Sequence, residues 1–170
     1  TIPGGAEMEL RGLTKHLQSS GIELEIITTC VECFGSDWNK NYHKEGVTTE
    51  GGLNVRRFSV RPRNTEAFDT VNFKLMNNMS ITSEEEKLFI DEMINSPRLY
   101  EYLKEHESEY DLFIFIPYMF GVTYNGILAV PDKAVLIPCL HDESYAYMDI
   151  YKNAFEHMAG IIYHATNADK

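Results

Sequence analysis

A polar triplet, His141, Asp142 and Glu143, closely follows the apolar run 134–137. An imidazole titrates near neutral pH, so His141 could donate a hydrogen bond or carry a proton. Asp142 or Glu143 could orient that imidazole or accept hydrogen bonds from a sugar hydroxyl. The residues also fit a structural alternative, in which Asp142 or Ser144 caps the next helix and His141 lies on the surface.

Two glycines, Gly4 and Gly5, precede an amphipathic helical pattern over residues 6–20. Free backbone N–H groups at a helix N-terminus favour an anion, and glycine lets a ligand approach the backbone closely. The pair matches neither the dinucleotide pattern GxGxxG nor the phosphate-loop pattern GxxxxGK[ST]. From the residues alone, a plain turn is at least as good an interpretation as an anion site.

Four tyrosines lie in the two segments that follow the apolar runs 112–116 and 134–137. They are Tyr118, Tyr124, Tyr145 and Tyr147. Aromatic rings pack against the apolar faces of sugars, and phenol hydroxyls hydrogen-bond to sugar hydroxyls. Each ring taken singly is better explained by packing between helices, whereas the cluster as a whole favours a binding function.

The elements that must position these residues alternate along the second half of the chain. Strands are predicted at 112–116, at 134–137 and from residue 160, with helices between them. This order predicts a doubly wound, mostly parallel α/β sheet. Ligands of such sheets bind at the carboxyl ends of the strands, which places the three candidate segments at one edge.

The first half of the chain is less regular. A strand is predicted at 22–28, a long polar loop at 31–53 and a second strand at 54–60. A helical excursion follows at about 64–109, in which Ser83 caps a helix and Glu86 completes a capping box. Nothing in the pattern divides residues 1–170 into more than one domain.

Composition restricts the function classes. The net charge of −11, from 15 basic and 26 acidic residues, argues against nucleic-acid binding. No apolar run approaches the roughly 18 residues of a membrane span. The basic cluster Arg56, Arg57, Arg61 and Arg63 could face a phosphate or an anionic membrane, although a solvated strand and loop is the preferred interpretation.

Three cysteines, Cys30, Cys33 and Cys139, do not form a disulfide framework. The CxxC of Cys30 and Cys33 lacks the further ligands of a structural zinc site. A redox pair would open a helix, whereas this one precedes a polar loop. A structural or incidental role in a reducing compartment is therefore expected, with a CxxC redox module as the weaker alternative.

Seven segments occur in an order that resembles the amino-terminal half of a group 1 (family four) retaining GT-B glycosyltransferase. They are GGAE, LEIITTC, the Trp-Asn-Lys-Asn-Tyr loop, VRRFSV, YDLFIFIPYMFGVTYNGI, KAVLIPCLHDESYAYM and GIIYHA. The resemblance covers essentially the whole chain, and the fifth and sixth segments carry most of its specificity. It implies a Rossmann-like GT-B amino-terminal domain that lacks its first strand, the one that would lead into GGAE.

The resemblance also implies a chemistry. The Gly4–Gly5 loop would lie beside the donor diphosphate and the acceptor, and His141, supported by Asp142, would reach the reaction centre. The remaining donor- or acceptor-binding residues would be Glu143, Tyr118, Tyr124 and Tyr145. Transfer would retain the anomeric configuration without a metal, and the nucleotide-sugar would be a substrate, so no cofactor is expected.

The sequence differs from the family in a second way: no segment of it matches the carboxyl-terminal, nucleotide-sugar-binding half. No Lys or Arg lies in the three candidate loops, so the cations that a diphosphate needs must come from another domain. We expect the isolated domain to be inactive and the parent enzyme to be cytoplasmic, acting on a glycan or lipid-linked acceptor, with peripheral membrane contact left open. The alternative is a non-catalytic flavodoxin-like binding or interaction domain.

Overall fold

The computed structural model describes residues 5–163, so residues 1–4, which include Gly4, and residues 164–170 lie outside the description. Helices and strands alternate through this range. The helices are α1 (Gly5–Ser19), α2 (Thr65–Met76), α3 (Ser83–Asp91), α4 (Pro97–Glu105), α5 (Gly121–Ala129) and α6 (Ile150–Glu156). The strands are β1 (Glu25–Thr29), β2 (Gly46–Glu50), β3 (Leu53–Phe58), β4 (Phe113–Phe115), β5 (Ala134–Leu136) and β6 (Gly160–Ile161).

The first sheet has the order β1-β3-β2. β1 runs parallel to β3, while β2 runs antiparallel to β3. Gly51 and Gly52 join β2 to β3 with φ values of 57° and 81°, the left-handed backbone that a two-residue hairpin loop requires. The prediction of an uninterrupted loop at 31–53 is therefore wrong for β2, a strand whose five residues are all exposed.

The second sheet has the order β4-β5-β6, and both of its strand pairs are parallel. The predicted α/β class with parallel crossovers is confirmed. The strands do not form one continuous sheet. Among the described residues they form two sheets of three strands each.

Helices α2, α3, α5 and α6 bury the main core against β5. Its largest fully buried side chains include Phe89, Ile127 and Leu136. α5 lies close to the sheet because Gly126 has no Cβ, and a Cβ there would come within 2.5 Å of the Phe115 ring. A second cluster joins the sheets through α4, whose Leu103 packs with Phe58 of β3 and Phe113 of β4.

The predicted helical excursion at about 64–109 is confirmed as α2, α3 and α4. Its predicted capping box is wrong by one residue, because Thr82 is the N-cap and Glu85 its partner. Glu86 is thereby free to reach α6. Its carboxylate accepts hydrogen bonds from the backbone N–H groups of Asp149 (3.0 Å) and Ile150 (2.8 Å).

The strand predicted at 112–116 is shorter in the structure and more exposed than its apolar sequence suggests. Only Phe113–Phe115 is strand, and Leu112 and Ile114 are 55% and 39% exposed. Both residues line a cleft that separates this strand from β1. Their exposure follows from the division of the sheet, since a central strand of a continuous sheet would have neighbours on both edges.

Candidate functional site

The loops after β4 and β5 lie side by side at the carboxyl edge of the second sheet. The backbone N–H of Tyr118 donates to the carbonyl of Pro138 at 3.2 Å. The Thr123 hydroxyl, in the first turn of α5, donates to the carbonyl of Pro117 at 2.8 Å. The two segments that the sequence placed at one edge are therefore in direct contact.

Tyr118 connects the two loops a second time. Its hydroxyl donates to Oε1 of Glu143 at 2.8 Å, and its side chain is 1% exposed. Burial, followed by the Glu143 carboxylate, raises the pKa of this phenol far above its usual range, so it stays a hydrogen-bond donor. Tyr118 thus orients Glu143 from inside the core.

His141 and Asp142 project from the same loop into solvent. Oδ1 of Asp142 accepts a hydrogen bond from the hydroxyl of Tyr147 at 2.8 Å, and this bond raises the Tyr147 pKa. The His141 imidazole makes no hydrogen bond to any described residue, whereas its carbonyl accepts one from the Glu143 N–H at 3.0 Å. The loop therefore carries an exposed imidazole that no described residue binds, followed in sequence by two carboxylates that accept hydrogen bonds from tyrosines.

Neither Asp142 nor Ser144 caps the next helix, in contrast to the structural alternative. The short 3₁₀ helix Ser144–Tyr147 has no side-chain cap, and the Ser144 hydroxyl donates to Oδ1 of Asn78 at 2.9 Å. The first turn of α6 is instead satisfied by Glu86. The side chains of the polar loop at 141–143 are therefore not needed to cap the start of α6.

The other tyrosines divide between packing and exposure. Tyr145 stacks on Phe89 at 5.4 Å between ring centroids, and its hydroxyl donates to Oδ1 of Asn72 at 3.0 Å. Tyr124 is half-buried, its ring lies nearly perpendicular to that of Tyr151 at 6.3 Å between centroids, and burial raises its pKa. Tyr147 is 74% exposed.

The start of α1 lies near the same edge. Glu7, in the first turn of α1, lines one cleft together with Pro117 and Phe120. Burial, followed by the carboxylate of Glu9, raises the pKa of the Cys139 thiol. A Cβ on Gly5 would meet nothing within 4 Å, so protein packing does not require glycine there. Gly4 lies outside the described residues.

An aromatic cluster at the carboxyl edge was not anticipated from the sequence. Trp38 and Phe34 of the loop after β1 pack against Phe120, with centroids 6.4 and 6.0 Å away. The Arg63 guanidinium lies over Trp38 at 4.8 Å and over Phe68 at 4.4 Å. The sequence feature that could have indicated this cluster was the single tryptophan in a long polar loop.

The arginines of the basic cluster are not simply solvated, in contrast to the interpretation preferred from the sequence. Arg56 pairs with Glu25 at 2.9 Å, Arg57 pairs with an exposed carboxylate of β2, and Arg61 binds Glu92 at 3.4 Å. Burial lowers the pKa of the Arg63 guanidinium, and its Nε has no hydrogen-bond partner among the described residues. Most of this positive charge is thus neutralised within the fold.

The CxxC pair shows no redox geometry. Cys30 is buried and its thiol pKa is raised by burial, while Cys33 is exposed in a loop and both are free thiols. Within residues 5–163, no group of three or more His, Cys, Asp or Glu side chains could hold a metal ion. No helix of that range is long and apolar enough to cross a membrane.

Comparison with known proteins adds no relative to this picture. No family model matches the chain, and neither the curated proteins nor the solved structures yielded a match. The functional argument therefore depends on the geometry of the carboxyl edge and on the chemistry of the side chains there.

Proposed function

We propose that this chain is the acceptor-side, Rossmann-like domain of a retaining GT-B glycosyltransferase. The observation that carries the proposal is the joint carboxyl edge. It brings together the loops after β4 and β5 and exposes His141 and Asp142 where open α/β sheets bind ligands. The order of the sequence segments supports the same assignment.

In this proposal His141 positions the transferred sugar and is not a classical base. A neutral or charged imidazole can donate to a sugar hydroxyl, and the neighbouring Asp142 carboxylate can accept from another. Glu143, held at 2.8 Å by the buried Tyr118, supplies a fixed acceptor. Tyr147, exposed beside Asp142, offers a ring surface for a sugar face.

The electrostatics of the edge indicate which part of the reaction another domain must supply. Residues 117–120 and 137–143 contain no Lys or Arg, while Asp142 and Glu143 are acidic. A leaving diphosphate needs cationic hydrogen-bond donors, and oxyanion stabilisation dominates this kind of transfer. The proposed role of this domain is therefore to hold the acceptor and the transferred sugar.

The test uses the polypeptide in which this domain is joined to a nucleotide-sugar-binding domain, assayed against a panel of sugar nucleotides. We expect His141→Ala to lower kcat on the order of 100-fold, because a positioned group at the reacting centre is lost. His157→Ala, which removes an exposed histidine after α6, is the matched control.

Two results would contradict the proposal. Wild-type turnover by His141→Ala would remove the role given to that imidazole. Turnover by the 170-residue chain alone would show that no other domain is needed. Flavin binding without any glycosyl transfer would favour the flavodoxin-like alternative.

A further inference from the structure

Arg63 is the one arginine of the basic cluster that forms no ion pair among the described residues. The other three each pair with a carboxylate at 3.4 Å or less, whereas no Asp or Glu oxygen of residues 5–163 lies within 4.0 Å of the Arg63 guanidinium nitrogens. Its Nε is closed off from solvent and makes no hydrogen bond to that part of the chain. A guanidinium carries five N–H donors and loses hydration on burial, so an arginine in such a place normally binds an oxyanion.

The Arg63 side chain is nevertheless held in a defined position. Its guanidinium carbon lies 4.8 Å from the ring centroid of Trp38 and 4.4 Å from that of Phe68. Asn39 fixes the backbone beside these rings, since its Oδ1 accepts a hydrogen bond from the Arg63 N–H at 2.8 Å and its Nδ2 donates to Oγ1 of Thr65 at 3.1 Å. Cation–π contacts engage the faces of a guanidinium, so they do not use the N–H donors in its plane.

Arg63 lies at the carboxyl edge, in the segment between β3 and α2. Trp38, in the loop after β1, packs on Phe120, in the loop after β4, with centroids 6.4 Å apart. Stacked rings lead from the other face of the site to Tyr145, in the segment after β5, with successive centroids 4.8 and 5.4 Å apart. The guanidinium therefore shares this edge with the polar loop at 141–143.

The nearby carboxylates do not supply a close counter-charge. Three of them act on the guanidinium from beyond ion-pair distance: Asp69, Glu92 and Asp37. Glu92 is engaged with Arg61 at 3.4 Å, and Asp37 with Lys40 at 3.7 Å. Burial outweighs their attraction, so the pKa of the Arg63 guanidinium is lowered. An oxyanion in contact with its N–H groups would restore that balance.

We propose that Arg63 binds an oxyanion carried by the acceptor, either a phosphoryl group or the carboxylate of an acidic sugar. The proposal rests on the proposed function and narrows the acceptor to an anionic one. The planar N–H fork of a guanidinium matches either group bidentately. Trp38, whose ring lies beside the guanidinium, can pack on the sugar that bears the group.

The only tryptophan of the chain gives a direct readout, because Trp38 contacts the Arg63 guanidinium. The 170-residue chain is titrated in turn with inorganic phosphate, glucuronate and glucose at constant ionic strength, and its tryptophan fluorescence is followed. Arg63→Gln removes the charge, and Arg63→Lys keeps the charge without the fork. Arg98→Gln, which removes a 68% exposed and paired arginine, is the matched control. Far-UV circular dichroism verifies the fold of each variant.

We expect a saturable fluorescence change with phosphate or glucuronate and none with glucose. The anion that binds more tightly identifies the group on the acceptor. The apparent Kd for that anion should rise at least about tenfold in Arg63→Gln, rise less in Arg63→Lys and keep the parent value in Arg98→Gln. The absence of a saturable response to both anions would overturn the proposal, as would an equal Kd in the parent and in folded Arg63→Gln.

These outcomes are separate from those of the glycosyl-transfer assay. Anion binding at Arg63 without any transfer by the two-domain polypeptide would contradict the proposed function and leave the anion site standing. Transfer with no anion binding at Arg63 would contradict the anionic acceptor alone.

Discussion

In the first sheet, neighbouring strands are joined by charged side chains: Arg56 with Glu25 at 2.9 Å and Arg57 with Glu50 at 2.7 Å. In the second sheet the strands have three, three and two residues, and four helices cover them with apolar side chains. Apolar burial contributes on the order of 25 cal/mol per Å². An ion pair with an exposed carboxylate, such as that of Glu50, contributes little. The two sheets should therefore respond very differently to substitution.

The largest effect is expected in the core of the second sheet. Phe89 is 1% exposed and stacks between Phe68 (4.8 Å) and Tyr145 (5.4 Å). Phe89→Ala should destabilise the fold by about 3–5 kcal/mol, since it removes a buried ring and leaves a cavity. Urea unfolding measures this, with Phe73→Ala, 64% exposed on α2, as the control. Equal losses in both variants would contradict the assignment of the core.

A smaller effect is expected where α5 meets α3. A Cβ on Gly121 would lie 2.6 Å from the carbonyl oxygen of Ile90 and 3.0 Å from that of Ile94. Gly121→Ala should cost about 1–3 kcal/mol, because backbone atoms must shift to admit the methyl group. In Gly12→Ala the methyl group meets nothing within 4 Å, and this helix substitution should stabilise by about 0.5–1 kcal/mol. Thermal unfolding that moves both variants in the same direction would contradict this prediction.

A pH effect is expected beside the first sheet. Burial raises the pKa of Glu92, but hydrogen bonds from the Asn64 N–H (2.6 Å) and from Arg61 outweigh it, so the net pKa lies below 4.5. Because the unfolded chain binds this proton more readily, the contribution is present above about pH 4.5 and is lost as the pH falls further. Tm between about pH 6 and about pH 3 should fall less steeply in Glu92→Gln than in the parent. Exposed Glu101→Gln should keep the parent slope.

The smallest effect is expected at the edge of the first sheet. Glu50 lies on the fully exposed strand β2 and pairs with Arg57 at 2.7 Å. Glu50→Gln should leave the thermal midpoint unchanged within error, because solvent and salt screen such pairs. A drop as large as that of Gly121→Ala would show that the first sheet depends on its charges.

The same contrast explains what the sequence could predict about the fold. The apolar runs 112–116 and 134–137 located β4 and β5 within one residue at each end, because flanking polar residues and prolines bound them. β2 was missed because the sequence GVTTE has no apolar face to reveal a strand. Its signal was the Gly51–Gly52 pair, which is typical of a two-residue hairpin.

The site was predictable only in outline. Parallel crossovers require the loops after β4 and β5 to share an edge, and that inference is confirmed by the backbone bond between Tyr118 and Pro138. The partners of individual side chains depend on distant elements that no local pattern encodes. Tyr145, for example, stacks on Phe89 of α3, so its ring is committed to packing. The roles of His141 and Asp142 in catalysis stay predictions.

The hydrogen bond from Tyr118 to Glu143 has a consequence for motion at the carboxyl edge. The two crossover loops are fastened together by this bond and by the backbone bond to Pro138, so opening one loop requires releasing the other. Their amides should therefore exchange as one cooperative unit. A ligand held by either loop would lower the opening frequency of both.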